Sequence, residues 1–407
     1  MTRVGGSPHG GLPPLVEPVG ALTPDERARY SRHLLLGAIG DTGQRRLRAA
    51  SVFVVGAGGL GAPVLMYLAA AGVGRITVID DDEVDLGNLH RQVIHSVPAI
   101  GRPKVESARD RLAELAPGVR VDAVHARLDA LNIGALLSGH DLVVDGSDNF
   151  ATRYLVSDAC EIAGIPVIWG TIDRFRAQLA VFWSRPPAPA VAVTLRDLYP
   201  AAPPPGSVPS CAEAGVVGAL CGTVGSMMAM EAVKLITGAG RPLLGRLVLL
   251  DLLETTTRTV TIRPDPSRAP VTALPDGDAS CEVGPPDDQS VPVVTAADLA
   301  AELADAGPSG AVAPVLVDVR GAGERSIALI DPSVWVPLDA LGEDAADPTG
   351  VLGRAAERGP LVVYCKSGMR SARAAALLSG AGFAGVRSLA GGIEAWTRDV
   401  DPSLPGY

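Results

Sequence analysis

Cys365 opens the sequence Cys-Lys-Ser-Gly-Met-Arg, directly after the apolar run 361–364 and just before the helical pattern 371–378. A thiolate in that place faces backbone amides and the positive end of a helix, and both stabilise negative charge on sulfur. The spacing therefore predicts a nucleophilic cysteine that can carry a persulfide anion. The loop around it contains two cations and consists of Lys366, Ser367, Gly368, Met369 and Arg370.

A second candidate site is the run VVGAGGLG at 54–61, which has the pattern G-x-G-x-x-G between a strand-like run and a helical run. Glycines there let backbone amides approach a phosphate, and the helix N-terminus adds positive potential. Asp80 ends the next strand-like run, where a ribose-binding carboxylate is expected. The pattern predicts a nucleotide site, but an NAD-dependent dehydrogenase shares it. Its glycines are Gly56, Gly58, Gly59 and Gly61.

Polar and basic residues after the later strand-like runs decide between the two kinds of nucleotide. Asn88, Arg91 and Lys104 come after the second run, and Asp148 and Asn149 come after a later one. A nicotinamide site needs few cations near its reactive ring, whereas a triphosphate needs several cations and a carboxylate to hold magnesium. The sequence therefore predicts an ATP site, with Asp148 as the ligand of Mg²⁺.

The elements that must position these residues alternate between strands and helices, which is typical of an α/β fold with a mainly parallel sheet. In the first part of the chain we expect strands at 51–55, 75–80, 142–145 and 166–169, helices at 62–71 and 222–236, and a late strand pair from 245–253. In the second part we expect strands at 315–319 and 361–364 and a helix at 371–378.

Composition limits the classes of protein. A chain of 407 residues is longer than one domain with a single hydrophobic core usually is. Its content of 47% hydrophobic and 20% charged residues is typical of a soluble globular protein. The net charge of −10 argues against a nucleic-acid-binding surface. The uncharged stretch 49–74 has the length of a membrane span, but its glycines favour strand, loop and helix, so we expect no membrane segment. The N-terminus has no pattern of a secretory signal.

Pro, Asp and Ser dominate from about residue 264 to 290, and apolar periodicity disappears there. We therefore expect a disordered tail at 1–20, a first domain at 21–268, a linker at 269–290 and a second domain at 291–407. The five cysteines contain no CxxC pair, so we expect neither a disulfide framework nor a zinc site. Reduced thiols predict a cytoplasmic protein.

Residues 24–263 resemble the ThiF/MoeB/HesA family, the prokaryotic relatives of ubiquitin-activating (E1) enzymes. The matching blocks are Arg29-Tyr30-Ser31-Arg32, the glycine loop, Asn88-Leu89-His90-Arg91-Gln92, Lys104, the run DNFATRY from Asp148, Pro204-Pro205-Gly206 and Cys211-Ala212-Glu213. The resemblance implies a Rossmann-like adenylation domain, which uses ATP to activate the C-terminal glycine of a small ubiquitin-like sulfur carrier. A carboxylate is a weak electrophile, and adenylation gives it AMP as a leaving group.

The same resemblance implies a role for each candidate residue. Amides around Gly59 contact the nucleotide, and Asp80 binds the ribose. Asp148 holds Mg²⁺ with Asn149 beside it, and Arg32 reaches the site of a second subunit, which implies a homodimer. Three further side chains neutralise phosphate charge as pyrophosphate leaves. They are Asn88, Arg91 and Lys104.

The remaining cysteines are less informative. In the ThiF-like family the cysteine at the place of Cys211 lies near the adenylate, and some members use it covalently whereas others do not, so both roles stay open. Cys160 and Cys221 stand in apolar helical patterns and are expected in the core. Cys281 falls in the expected linker.

Residues 291–407 resemble the rhodanese family through the Cys365 loop, the run VDVR at 317–320 and the run LAGGIEAW at 389–396. Four residues separate Cys365 from Arg370, which is the shorter loop typical of sulfur transfer; a related phosphatase family has one more. The resemblance implies a smaller α/β domain in which Cys365 carries the persulfide.

Three features depart from these families. Many ThiF-like members bind zinc with two CxxC pairs, but the corresponding segments 191–198 and 264–272 contain no cysteine, so we expect another form of packing there. Gly87 replaces the usual serine before Asn88. The sequence Leu-Ile-Asp-Pro at 329–332 replaces the usual His-Ile-Pro-Gly of rhodaneses.

The two domains together predict one cycle. The first adenylates a carrier ending in Gly-Gly, and Cys365, loaded by thiosulfate or a cysteine desulfurase, attacks the acyl carbon. A thiol, from Cys211 or an external reductant, then releases the thiocarboxylate. The alternatives are a ubiquitin-like activator for conjugation to protein lysines, a non-catalytic scaffold and an NAD dehydrogenase. The pathway stays open between molybdenum cofactor, thiamine, cysteine and specialised products.

Overall fold

The computed structural model describes residues 11–203, 215–274, 291–306 and 312–406. They form two units, each with its own sheet and its own apolar core. The first unit contains the described residues up to 274, and the second contains those from 291 onward. Strands and helices alternate in both units, which confirms the α/β class expected from the sequence.

Eight strands form the sheet of the first unit. They are β1 (Ser51–Val55), β2 (Arg75–Ile79), β3 (Arg120–Val124), β4 (Leu142–Asp145), β5 (Val167–Asp173), β6 (Arg176–Phe182), β7 (Arg246–Asp251) and β8 (Thr256–Thr261). Their order is β3-β2-β1-β4-β5-β6-β7-β8, with β1 to β5 parallel and the last three added antiparallel. The strand order reverses at β1, and ligands bind at such a switch point, beyond the carboxyl ends of the strands.

Helices cover the sheet of the first unit. They are α1 (Pro24–Arg29), α2 (Ser31–Leu34), α3 (Gly40–Ala49), α4 (Gly61–Ala70), α5 (Lys104–Leu115), α6 (Ile133–Leu137), α7 (Phe150–Ala163), α8 (Leu195–Leu198) and α9 (Gly218–Thr237), with 3-10 turns at Leu86–Asn88 and Val97–Ala99. Within the described residues, α9 alone is long and apolar enough to span a membrane. It packs on α4 and β5, and more than half of its apolar stretch is buried in the unit.

The second unit has a five-stranded parallel sheet in the order β11-β10-β12-β13-β9. Its strands are β9 (Val293–Val294), β10 (Val315–Asp318), β11 (Ser333–Trp335), β12 (Leu361–Tyr364) and β13 (Arg387–Leu389). Its helices are α10 (Ala296–Asp305), α11 (Ala322–Ile327), α12 (Leu341–Ala346), α13 (Val351–Ala356), α14 (Met369–Gly380) and α15 (Gly392–Asp399). All four residues of the central strand β12 are buried, as expected for a parallel strand covered on both faces.

The expected elements differ from the observed ones mainly at their ends. α9 begins at Gly218, four residues before the expected start. Glycine at that position lets the helix approach the carbonyl of His90, which lies 2.3 Å from where a Cβ would be. α14 likewise begins two residues early, at Met369. The segment 264–274, where the composition changes, contacts the first unit through Arg268 and Leu274.

Candidate active sites

The glycine loop, residues 56–61, joins β1 to α4 and leaves no room for side chains at two of its glycines. Gly56 has φ of +88°, in the left-handed region that favours glycine. A Cβ on Gly61 would lie 1.9 Å from the carbonyl oxygen of Gly56. The first turn of α4 therefore stays against the end of β1, which is the arrangement that presents helix N–H groups to a phosphate.

Asp80, the expected ribose ligand, directly follows β2 and contacts the glycine loop. Its Oδ2 accepts a hydrogen bond from the N–H of Ala57 at 2.8 Å, and its Oδ1 accepts one from the N–H of Asp82 at 2.9 Å. Burial raises the pKa of Asp80, and the positive charge of Lys104 opposes that rise. Lys104 is the first residue of α5, is 5% exposed and bonds Asp82 Oδ2 at 2.6 Å.

The turn after Leu86 brings Asn88 and Arg91 to the same loop. Asn88 Oδ1 accepts hydrogen bonds from Arg91 at 3.1 Å and from Gln92 at 3.0 Å. A Cβ on Gly59 would lie 3.7 Å from Cγ of Arg91, and one on Gly58 would lie 3.6 Å from Nε2 of Gln92. The structure therefore places the expected phosphate-binding residues over the glycine loop.

Asp148 and Asn149 follow β4, beside the glycine loop. Asp148 is exposed, whereas Asn149 is the N-cap of α7 and accepts the N–H of Thr152 at 2.8 Å. The chain between β4 and Asp148 passes Gly146, whose carbonyl oxygen would lie 3.3 Å from a Cβ on Gly56. An exposed carboxylate is thus available at this edge, and Asn149 has a capping role that accounts for its position.

Sequence reasoning did not identify the network that holds this turn. Asp145 is buried, and its Oδ1 accepts from both the N–H and the hydroxyl of Ser147, at 3.0 and 2.6 Å. Arg153 is also buried and donates to the carbonyl of Ser147 at 3.0 Å. These contacts fix the backbone just before Asp148. The signal in the sequence was a buried-strand aspartate followed by a serine and, one helical turn into α7, an arginine.

Acidic groups that could hold a cation also lie at this edge. The carboxylates of Asp80, Asp81 and Asp82 lie within 4.8 Å of one another, and they form the one group of three such side chains in the described residues. Asp148 is not part of this group. Its carboxylate oxygen is nevertheless a ligand type that Mg²⁺ prefers.

Arg32 lies at the other end of α4. It is exposed on α2, and the preceding Tyr30 packs against Gly72 beyond the C-terminus of α4. The glycine loop is at the N-terminus of that helix, about 15 Å away for ten residues. The structure therefore does not bring Arg32 to the glycine loop of its own chain.

In the second unit, Cys365 lies between β12 and α14 with its sulfur enclosed by the loop. The residue is 1% exposed, its Sγ accepts the N–H of Gly368 at 3.2 Å, and its thiol lies 3.5 Å from Oγ of Ser371. Gly392 supports the loop from below, since a Cβ there would lie 2.5 Å from the carbonyl of Cys365. Backbone amides at a helix N-terminus stabilise an anionic sulfur in such a position.

The two cations of the Cys365 loop are paired with carboxylates. Arg370 donates two hydrogen bonds to Glu324, at 2.8 and 2.6 Å, and Lys366 Nζ lies 3.7 Å from Glu394. Burial alone would raise the pKa of Glu324. The hydrogen bonds and the charge of Arg370 outweigh that effect, so the pKa lies below its ordinary value. Arg370 therefore anchors the loop to α11. Ser367 and Met369 are exposed in the loop.

A buried ionic network lies under the same strand and was not identified from the sequence. Arg320 and Asp318 are both fully buried and share hydrogen bonds of 2.9 and 2.7 Å. The hydroxyl of Tyr364, the residue before Cys365, donates to Asp318 at 3.0 Å. The run VDVR, which carried the rhodanese resemblance, therefore supports β12 directly beneath the nucleophile.

The segments that would carry zinc ligands meet at one corner of the first unit, around a cavity of about 480 Å³. Arg268 donates to both oxygens of Glu161 on α7, at 3.1 and 3.0 Å, and lies 3.4 Å from Asp197. The N–H groups of Asp265 and Val271 bond Asp197 and Glu161 at 2.9 and 3.0 Å. An arginine and two carboxylates therefore join these segments.

Two other cysteines lie in the part of the chain that the structure describes. Cys160 and Cys221 are buried in the first unit, as expected, and burial raises the pKa of Cys160 strongly. Cys221 packs under the glycine loop, with its Sγ 3.0 Å from a Cβ built on Gly59. Cys211, the blocks 204–206 and 211–213, and Cys281 lie outside the described residues.

Comparisons with known proteins agree with both units. The ThiF family matches residues 30–271, and the rhodanese-like domain matches 295–399. A probable adenylyltransferase/sulfurtransferase MoeZ of Mycobacterium tuberculosis is 47% identical over 97% of this chain and 99% of its own. Adenylyltransferase and sulfurtransferase MOCS3-1 of Zea mays is 38% identical over 96% of this chain and 85% of its own.

Two further similarities concern the first unit. A sulfur carrier protein adenylyltransferase of Thermus thermophilus is 51% identical over 61% of this chain and 92% of its own. The crystal structure of E. coli MccB with MccA-N7isoASN has a TM-score of 0.53 at 21% identity, and covers 60% of this chain and 75% of that one. The MccB likeness shows the fold alone. By sequence, this chain belongs to the ThiF family, and its second unit is a rhodanese-like domain.

Proposed function

We propose that this chain is an adenylyltransferase and sulfurtransferase, which converts the C-terminal glycine of a ubiquitin-like sulfur carrier into a thiocarboxylate. One observation carries the proposal: a single chain holds a glycine loop covered by Asn88 and Arg91 and a cysteine whose sulfur accepts a backbone N–H at a helix N-terminus. Adenylation and sulfur transfer are the two halves of one reaction. The names of the relatives that match the full length contain both activities.

In the first half, a carboxylate oxygen of the carrier attacks the α-phosphorus of ATP. The bond from that phosphorus to the departing pyrophosphate breaks, and an acyl adenylate forms. The glycine loop amides bind the phosphates, and Asn88, Arg91 and Lys104 neutralise the charge that accumulates on pyrophosphate. Lys104 already has a partner in Asp82, so it exchanges one anion for another when ATP binds. The attacking carboxylate is ionised at neutral pH and needs no general base.

Asp148 is the residue that we assign to Mg²⁺. Its exposed carboxylate stands at the loop after β4, beside the glycine loop, and oxygen donors of this kind fit the ion. When bound, Mg²⁺ neutralises phosphate charge in the transition state. The Asp145, Ser147 and Arg153 network fixes the backbone directly before Asp148.

In the second half, the terminal sulfur of a Cys365 persulfide attacks the acyl carbon, and AMP leaves with its oxygen. The product joins the carrier to Cys365 through two sulfur atoms. A second thiol, from Cys211 or from an external reductant, attacks Sγ of Cys365. That attack breaks the sulfur–sulfur bond, releases the carrier thiocarboxylate and leaves a disulfide on Cys365, which another thiol reduces. Thiosulfate or a cysteine desulfurase reloads the sulfur.

The assembly that we propose is a homodimer in which Arg32 completes the adenylation site of the partner subunit. Tyr30, next to α2, packs at Gly72 beyond the C-terminus of α4, whereas the glycine loop is at the N-terminus of that helix, so we assign the role of Arg32 in ATP binding to a second copy. Leu35 and Leu36, directly after α2, are 74% and 52% exposed, and two adjacent exposed leucines beside Arg32 fit an interface.

Two further assignments complete the proposal. The zinc corner of the family is held here by Arg268 with Glu161 and Asp197, and we propose that this enzyme uses no zinc. The cycle depends on reduced thiols, so we place the enzyme in the cytoplasm. We place the adenylation domain at 21–268, the linker at 269–290 and the rhodanese domain at 291–407, after a tail at 1–20.

The test is intact mass spectrometry of a carrier ending in Gly-Gly after incubation with the enzyme, MgATP and thiosulfate. We expect one oxygen of the carrier to be replaced by sulfur, only with ATP and only with Cys365 present. A carrier that reaches the adenylate and goes no further would contradict the role of Cys365. Adducts between the carrier and protein lysines, without sulfur incorporation, would indicate an activator for conjugation instead.

A further inference from the structure

His95 connects three parts of the adenylation site from a buried position. The residue is 8% exposed and stands between the turn that carries Asn88 and Arg91 and helix α5. Its backbone N–H bonds the carbonyl of Gln92 at 3.0 Å. Its ring contacts the carbonyl of Ala57 through Nε2 at 3.0 Å and Oγ of Ser107 through Nδ1 at 2.9 Å. Both ring nitrogens therefore have partners.

Ala57 is the residue of the glycine loop that these contacts hold. Its N–H donates to Asp80, and its carbonyl accepts from His95, so both of its peptide groups are bound to other elements. The two neighbouring residues, Gly56 and Gly58, have no side chains that could restrain the loop. Backbone dihedrals of glycine are the freest of any residue. Backbone bonds also hold the loop on either side, from the N–H of Gly56 to the carbonyl of Ile79 and from the N–H of Ala62 to the carbonyl of Gly58, at 2.8 and 2.9 Å. The two contacts at Ala57 add the restraint on the residue between these glycines.

The partners of His95 specify its protonation. The carbonyl of Ala57 can only accept, so the hydrogen lies on Nε2, and Nδ1 is left to accept from the hydroxyl of Ser107. Burial lowers the pKa of His95, and the charge of Lys104 lowers it too, against the opposing effect of the bond to Ala57. The ring is therefore neutral at physiological pH and does not add a charge to the site.

We propose that His95 is a positioning residue, which fixes the glycine loop through Ala57 and links it to the helix that begins with Lys104. ATP then meets loop amides and a lysine that are held in one relative arrangement, and less binding energy goes into ordering them. The restraint of the loop by His95 is independent of the reaction, whereas the effect of that restraint on ATP rests on the proposed adenylation. His95 does not contact the reacting atoms in this account.

Two substitutions at one position separate this role from burial alone. In His95→Gln, the amide nitrogen occupies the place of Nε2 and keeps the donor to Ala57. In His95→Asn, the shorter amide occupies the place of Nδ1, and the hydrogen-bond donor to the carbonyl of Ala57 is lost. The matched control is His140→Asn. His140 is also 8% exposed, but it precedes the amino end of β4 and bonds Thr77 in the middle of β2, away from the glycine loop at the carboxyl end of β1. We expect similar losses of thermal stability from His95→Asn and His140→Asn.

The readouts are ATP–pyrophosphate exchange and amide hydrogen exchange of residues 56–61 in the full chain. In His95→Asn the buried carbonyl of Ala57 has lost its donor from the residue 95 side chain, which is unfavourable. We therefore expect the KM for ATP to rise about tenfold and kcat to change less. His95→Gln should stay within about threefold of the unmodified enzyme, and His140→Asn should leave KM unchanged. Faster hydrogen exchange at 56–61 should accompany His95→Asn alone.

Equal KM values and equal hydrogen exchange in His95→Asn and His140→Asn would overturn the inference, and so would a His95→Gln enzyme as impaired as His95→Asn. An unmodified enzyme without any exchange activity would instead contradict the proposed adenylation. In that case the hydrogen exchange of residues 56–61 still decides the role of His95, because it does not depend on turnover.

Discussion

Arg268 donates two hydrogen bonds to the carboxylate of Glu161, at 3.1 and 3.0 Å, and thereby ties the segment after β8 to α7. The side chains are 18% and 5% exposed, so water screens the pair only weakly. Asp197 adds a second carboxylate to the same guanidinium at 3.4 Å. One arginine and two carboxylates therefore cross-link this corner through charge.

We expect Arg268→Met to destabilise the first unit by about 2–4 kcal/mol, because it leaves Glu161 and Asp197 buried without a cation. Urea unfolding measures this, with Arg263→Met at a nearby exposed position as the control. A metal chelator should leave the melting temperature unchanged, and elemental analysis should find no zinc in the purified enzyme. A drop in melting temperature on chelation would contradict this account of the corner.

We expect Cys365→Ala to abolish thiosulfate sulfurtransferase activity and to leave ATP–pyrophosphate exchange unchanged. The reason is that the nucleophile belongs to the second unit, whereas the glycine loop belongs to the first. Cys160→Ala, at a buried cysteine of the first unit, is the control for thiol removal. Loss of both activities in Cys365→Ala would show that the two sites do not divide the chemistry in this way.

We expect Asp148→Ala to lower ATP–pyrophosphate exchange by at least about 100-fold, in line with the loss of a charge-stabilising group in a transition state. The variant should still form a persulfide on Cys365, detectable by mass spectrometry after thiosulfate treatment. Asp110→Ala, on the exposed face of α5, should leave both activities intact. Normal exchange in Asp148→Ala would remove this residue from the magnesium site.

Gly392→Ala should disrupt sulfur transfer through shape alone. A Cβ at this position would lie 2.3 Å from the carbonyl of Lys366 and 2.5 Å from that of Cys365, so the nucleophile loop must move. Gly385→Ala is a matched control, since Gly385 has a similar positive φ, +65° against +58°, but faces open space. Both variants carry the strain of about 1 kcal/mol from left-handed backbone.

The comparison uses thiosulfate sulfurtransfer and melting temperature. We expect a small loss of stability in both glycine variants and a loss of activity, about tenfold or more, in Gly392→Ala only. Equal activities in the two variants would mean that the loop tolerates displacement.

The stability of the second unit should fall in acid through Glu324. The pKa of this group is below its ordinary value of 4.5 in the folded chain, so its stabilising effect is present above that value. The effect is lost as the pH falls from 4.5 through the lowered folded pKa. Glu324→Gln should therefore be less stable at neutral pH and show a shallower decline below pH 4.5. Amide hydrogen exchange of α14, measured from pH 7 down to below pH 4.5 and corrected for the intrinsic exchange rate, gives both the stability at neutral pH and its decline in acid.

Exposed Glu343 supplies the comparison for that titration, since Glu343→Gln should keep the full acid decline. Asp318 has a pKa shifted in the same direction, because the bonds and charge of Arg320 outweigh burial, so part of the decline remains in Glu324→Gln. An unchanged acid profile in Glu324→Gln would rule out Glu324 as the responsible group.

Local patterns were enough to predict the glycine loop, the place of Cys365 and the strands β1, β2, β4 and β5, but not β3 or β6. The run at 52–55 is apolar throughout because β1 is buried on both faces there. The close contact of Gly61 with the carbonyl of Gly56 explains why both positions are glycine. What could not be predicted depends on partners far apart in the chain. His95 had no expected role, since its bond to Ala57 spans 38 residues.

The cations near Cys365 illustrate the same limit. The sequence shows that Lys366 and Arg370 are the cations of this loop, but it does not show their carboxylate partners. Arg370 pairs with Glu324, 46 residues earlier, and only the tertiary structure determines that choice. The backbone N–H of Gly368 donates to the sulfur of Cys365. A sequence shows which side chains are charged, but it does not show the direction in which a peptide group points.

The burial of Cys365 affects how readily its thiol is oxidised between turnovers. A thiol that peroxide oxidises to the sulfinic acid can no longer accept sulfur, and susceptibility to that damage follows exposure. With 1% of Cys365 exposed and its sulfur bonded within the loop, diffusing oxidants reach it poorly. We therefore expect the loop that shapes the nucleophile also to slow the oxidation of its resting thiol.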